Sequence, residues 1–85
     1  MNHIELRLEI QDHYGSTVKA FSKGIESPHT PSKGMVFTGE DYSLEARNIY
    51  FDLDDGTILI RFVETPSEDE VNGWDFLVKE GWTEL

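Results

Sequence analysis

The strict alternation of residues 3–11, HIELRLEIQ, constrains this chain more than any other stretch. Ile4, Leu6, Leu8 and Ile10 take every second position, with His3, Glu5, Arg7, Glu9 and Gln11 between them. Successive side chains of an extended strand point to opposite faces, so this segment is a half-buried strand with one apolar and one charged side. A helix would scatter the same residues around its circumference. The chain must therefore build a sheet and lay something over its apolar side.

Residues 47–64 repeat the pattern on both sides of Asp55-Gly56, a pair that tolerates the positive φ of a type I′ turn. A two-residue loop there predicts a hairpin of strands 47–54 and 57–64. Next to the loop Asp54 meets Thr57, and on one face Leu53 meets Ile58, Phe51 meets Ile60 and Ile49 meets Phe62. The other face receives Asn48 with Val63, Tyr50 with Arg61 and Asp52 with Leu59. A slip of one residue would send each apolar set to the opposite side.

The same stretch, FDLDDGT, resembles the Asp-x-Asp-Gly-Thr signature of haloacid-dehalogenase-type phosphatases. That resemblance would make Asp52 the nucleophile that attacks phosphorus and Asp54 the acid that protonates the leaving group, with magnesium between them. Asp55, however, stands where that family has glycine, and no later lysine-plus-acid cluster follows. DLDDG also partly matches an EF-hand calcium loop, but glycine is fifth from Asp52, and Val63 stands where that loop ends in glutamate. The three histidines, at 3, 13 and 29, share no ligand spacing, and neither a nucleophile elbow nor a phosphate-cradling glycine loop occurs. The aspartates around Gly56 are expected to reverse the chain, with no catalytic, metal-binding or cofactor-binding set.

The other elements follow from punctuation. DHYGS gives a three-residue loop, His13-Tyr14-Gly15, joining the first strand to one over about 17–23. In that register Ile10 faces Val18, Leu8 faces Ala20 and Leu6 faces Ser22, while Lys19 and Phe21 point outward beside Arg7 and Glu9. Residues 22–34, SKGIESPHTPSKG, hold two prolines and two glycines and read as an irregular loop. A short strand over 34–38 follows, and GEDYSLEAR has no clear period. Thr65-Pro66-Ser67-Glu68 reads as an N-cap, a first-turn proline and a capping-box glutamate, opening a helix over about 66–80. Gly81 suits its C′ position, with Trp82 folding back on Leu77. Val71, Trp74, Leu77, Val78 and Trp82 form its apolar stripe. Phe76 lies off that stripe, among Asp69, Asn72 and Glu80, as an interface anchor with a polar rim would.

The expected fold is α+β in a single domain, 1–85: an antiparallel sheet of four to five strands (about 3–11, 17–23, 34–38, 47–54 and 57–64) with one C-terminal helix packed on one face. The outer face would present Phe21, Tyr50, Leu59 and Val63 among Glu5, Glu9, Asp52 and Asp54.

Charge bounds the function. Seventeen acids against seven bases give −10. Residues 1–39 carry four acids (Glu5, Glu9, Asp12, Glu26) and four bases (Arg7, Lys19, Lys23, Lys33), so the whole surplus lies in residues 40–85. Direct binding to nucleic-acid phosphates or an anionic bilayer is disfavoured, and a partner protein with a basic surface is attracted. The absence of cysteine excludes disulfides and thiolate metal sites. The amino terminus alternates where a secretion signal needs an unbroken apolar run, and no segment nears a membrane span, so a cytoplasmic location is expected. The composition points to a small acidic, non-catalytic binding protein, in its sharpest form an inhibitor that occupies a nucleic-acid-binding surface by charge mimicry. Small phage or bacterial inhibitors often have this character. Its candidate partner-binding residues are Phe21, Tyr50, Asp52, Asp54, Glu68, Asp69, Phe76 and Glu80. The alternatives are a structural or assembly subunit that forms homo-oligomers through the sheet, and a small metal-dependent hydrolase using Asp52 and Asp54.

Overall fold

The computed structural model describes residues 2–85, apart from the side chains of residues 68–72. The strands are β1 (Asn2–Gln11), β2 (Thr17–Ser27), β3 (Val36–Thr38), β4 (Ser43–Glu45), β5 (Asn48–Phe51), β6 (Ile58–Glu64) and β7 (Thr83–Glu84), with a 3-10 helix at Glu68–Glu80. One sheet runs in the order β5-β6-β1-β2-β7, and β3 and β4 form a separate hairpin. The architecture is the expected α+β one, a five-stranded sheet with a C-terminal helix packed against it.

The centre of the sheet departs from the antiparallel expectation. β1 and β6 run parallel, from Ile4 opposite Ile58 to Ile10 opposite Glu64, and the remaining neighbours are antiparallel. The two cleanest alternating runs take the middle, where each is paired on both sides. A parallel partner needs a long connection that crosses one face of the sheet. The β3–β4 hairpin lies in that connection and helps cover the core. Thus the segment expected over 34–38 does not join the main sheet: Val36–Thr38 pairs with Ser43–Glu45, in the stretch that had no legible period.

Ile4, Leu6, Leu8, Ile10, Phe21, Ile58, Ile60 and Phe62 fill the inner face, met by Leu44 and Ala46 from the small hairpin and by Leu77 and Trp82 from the C-terminal segment. The Phe37 ring stands edge-on to Phe62 with centroids 5.4 Å apart. Trp82 Nε1 donates to Tyr42 Oη at 3.1 Å, tying the chain's end to the hairpin. Gly39 makes that possible, since a Cβ there would overlap the Tyr42 ring.

The first hairpin has the expected His13-Tyr14-Gly15 loop, with Gly15 at φ 82° and Asp12 N–H donating to Ser16 C=O at 2.9 Å. Beyond it the register changes. Gln11 pairs with Thr17 but Ile10 with Lys19, so Val18 is the extra residue of a β-bulge. One added residue inverts every later side chain of β2. Phe21 therefore faces Leu8 and is fully buried, correcting its expected outward position, and it takes the place opposite Leu8 that the expected register gave to the much smaller Ala20. Lys19 also turns inward, where its ammonium pairs with Asp75 of the helix and with Glu84. β2 continues through Ser27, so the expected irregular loop at 22–34 is shortened: its first half is strand.

The helix begins at Glu68, not at Pro66. Residues 65–67 carry the chain off β6, and Ser67, extended at ψ 157°, occupies the N-cap without a side-chain cap bond. The expected capping-box side chain of Glu68 and the stripe position of Val71 lie outside the described residues. At the other end the expected closure forms: Trp82 N–H donates to Leu77 C=O at 3.0 Å, and Gly81 N–H reaches Val78 C=O at 3.3 Å. Lys23 Nζ caps the Glu80 carbonyl at 2.8 Å.

Candidate functional site

The helix and the β3–β4 hairpin lie on the inner face, and among the described residues no element covers the other one. That outer face carries His3, Glu5, Arg7 and Glu9 of β1, Ser22, Gly24 and Glu26 of β2, Leu59, Arg61 and Val63 of β6, and Asn48 and Tyr50 of β5, as the pairing registers require.

Two polar networks organise it. Arg61 holds Glu9 through Nε at 3.0 Å and Nη2 at 2.8 Å, and donates through Nη1 to Asn48 Oδ1 at 2.9 Å. Arg7 adds a contact to Glu9 at 3.3 Å. The hydrogen bond from Arg61 is the main reason the Glu9 carboxyl titrates below its ordinary range. At the far end of β1, His3 Nδ1 lies 3.1 Å from Glu26 Oε1 and Nε2 lies 2.9 Å from Glu5 Oε1. A neutral imidazole has only one N–H, whereas the imidazolium satisfies both carboxylates. The bond to Glu26, then that to Glu5, raises the His3 pKa above 6.5. Gly24 pairs with Glu5, and a Cβ there would come within 3.3 Å of Glu5 Oε1, so its missing side chain leaves room for this cluster.

The third feature is the β5–β6 turn. The observed pairs are Asn48 with Arg61, Ile49 with Ile60, Tyr50 with Leu59 and Phe51 with Ile58, two residues away from the expected register. An even shift keeps every side chain on its expected face but lengthens the loop. Asp52 N–H donates to Thr57 C=O, Gly56 N–H to Asp52 C=O, both at 2.9 Å, and Gly56 sits at φ 75°. The turn thus holds Leu53, Asp54, Asp55 and Gly56, a longer loop of the sort commonly built on a helical turn. Its own carboxylates stabilise it: Asp52 Oδ1 accepts from Asp54 N–H at 2.8 Å and Asp55 Oδ1 from Thr57 N–H at 2.7 Å. The Thr57 bonds hold the Asp55 carboxyl below its ordinary pKa. Leu53, expected opposite Ile58, projects from the tip at 88% exposure. Phe51 shares the core face but lies beyond its cover, at 60% exposure, and Tyr50 is 51% exposed. Beside them runs a groove of about 420 Å³ lined by Glu5, Tyr50, Phe51, Asp52, Asp55, Thr57 and Leu59. A second cleft, about 440 Å³, mixes Lys33 and Arg47 with Glu45 and Glu64 and so presents no single charge. Burial raises the pKa of Glu64.

Of the expected partner-binding residues, the fold brings Tyr50, Asp52 and Asp54 together at this turn. Phe21 is in the core. The Glu68 and Asp69 side chains lie outside the described residues. Phe76 is half-buried against Trp74, rings 6.1 Å apart, and Tyr42, 6.4 Å apart, rather than standing free. Glu80 is half-buried, with its carbonyl engaged by Lys23. Sequence reasoning did not place Phe51 and Leu53 at the exposed site, because a register that buries both looks equally good on paper; Glu5 it already put on the outer face. Among the described residues no three acidic or histidine side chains converge to hold a metal ion, and no helix is long and apolar enough to cross a membrane. No protein-family model matches the chain, and no curated protein or solved structure is significantly similar to it.

Proposed function

We propose that this protein is a non-catalytic binding protein that engages a basic surface on another protein, its carboxylates taking the place of nucleic-acid phosphates. The observation that carries this reading is the exposed β5–β6 turn, where Asp52, Asp54 and Asp55 surround exposed Tyr50, Phe51 and Leu53. Apolar and aromatic contacts give affinity at such a patch, and the acids give orientation and a fast, steered encounter. The −10 charge, confined to residues 40–85, supplies the long-range attraction.

The test uses Asp54, whose carboxylate makes no hydrogen bond in the turn, so that Asp54→Lys leaves the capping by Asp52 and Asp55 intact. A partner captured on the immobilised chain at low salt should bind on the order of tenfold more weakly at 0.5 M salt, because screening shortens the range of the attraction. Asp54→Lys should weaken low-salt binding several-fold. Equal binding at both salt concentrations ends this reading. Light scattering separates it from the self-associating alternative, which requires mass to rise with concentration.

A further inference from the structure

Among the described residues β5 is an edge strand, bonded to β6 on one side only. The Asp52 N–H to Thr57 C=O bond fixes which of its backbone groups face that neighbour. In an antiparallel ladder alternate residues turn their N–H and C=O to the partner strand. Asn48, Tyr50 and Asp52 therefore point toward β6, and the N–H and C=O of Ile49 and Phe51 point out at the open edge. An exposed edge of this kind is a template for another strand unless something blunts it.

We propose that β5 accepts an extended segment of the partner protein as a sixth, antiparallel strand, and that this segment alternates basic and apolar residues. The inference rests on the basic-partner reading above and gives it a binding mode. The pattern follows from the two sides of the edge. On the outer side Tyr50 and the groove carboxylates of Glu5, Asp52 and Asp55 suit lysine or arginine, with the Tyr50 ring available to a cation. On the inner side Ile49 and Phe51 continue the core face past its cover and suit valine or isoleucine. Side chains of an added strand alternate with a period of two, so one segment serves both sides. A second copy of this chain fits poorly, because each copy brings Asp52, Asp54 and Asp55 to the same edge along with a net charge of −10.

The experiment is amide hydrogen exchange by NMR on the labelled chain with a ten-residue peptide of alternating arginine and valine. A control peptide of equal charge is N-methylated at the valines, whose N–H groups would face β5. With the first peptide at ten times its Kd, exchange at Ile49 and Phe51 should slow by about tenfold, the factor set by saturation. The methylated peptide should produce no such slowing. If either peptide perturbs the acidic turn while Ile49 and Phe51 exchange unchanged, strand addition is wrong and the basic-partner reading survives. If both peptides slow those amides equally, strand addition is likewise wrong. Silence toward both peptides at low salt overturns the two together. Slowing that grows with concentration of the free chain would assign the edge to a second copy.

Discussion

His3 shows how a single side chain acquires a property that its own chemistry does not supply. Both ring nitrogens face carboxylate oxygens, of Glu5 and Glu26, and only the protonated ring can donate to both. Its folded pKa is raised above 6.5, so its contribution to stability is complete below the unfolded value and fades as pH rises through the raised one. NMR titration should place the His3 midpoint above 6.5. The stability gap between the native chain and His3→Gln should be full at pH 5.5 and close once the native ring is neutral. A midpoint at or below the ordinary value would mean that the carboxylates do not hold the ring in solution. Half of this cluster was legible: Glu5 is two residues from His3 on an alternating strand. Glu26 was not, because Gly24, Pro28 and Pro31 make its neighbourhood read as loop, whereas β2 in fact runs to Ser27.

Among the elements, the sequence conveyed the presence of strands more reliably than their register. In TVKAFSKGIE either Val18 with Ala20 or Phe21 with Ile25 can serve as the inward set, and local pattern does not choose. The bulge at Val18 chooses Phe21, whose large side chain buries far more apolar surface than Ala20. Deleting Val18 should therefore be tolerated: Lys19 and Thr17 would then oppose Ile10 and Gln11 in a regular ladder, with Phe21 still inward. Phe21→Ala should instead cost about 3–5 kcal/mol in denaturant melts, the usual range for removing a buried phenylalanine. A near-neutral Phe21→Ala would restore the bulge-free register. The helix departs from expectation for a different reason, its period. At about 100° per residue Val78 lies about 40° from Trp74 and Phe76 about 160° from it. At about 120° per residue each lies about 120° away. Val78 accordingly stands 52% exposed, while Phe76 reaches the core's margin. Periodicity analysis on an α-helical template assigns these two residues the wrong roles.

For the whole molecule, the decisive matter is where the scarce positive charges sit. Arg61 is held by Glu9 and Asn48, Lys19 by Asp75 and Glu84, and Lys23 by the Glu80 carbonyl. These cations work between elements, and among the described residues no ion pair engages the acids of the β5–β6 turn. Exposed ion pairs contribute little each, about 0–1 kcal/mol, whereas a net charge of −10 on a small domain repels itself throughout. Salt should therefore stabilise this fold. Raising ionic strength from about 0.01 to 1 M shortens the screening length from about 30 to about 3 Å. Each kcal/mol of relieved repulsion should raise Tm by about 4–8 °C. The same titration should weaken partner binding, so the two responses carry opposite signs. A Tm that falls with salt would show that the ion pairs outweigh the repulsion, and the surplus said to attract a basic partner would then be largely neutralised within the chain itself.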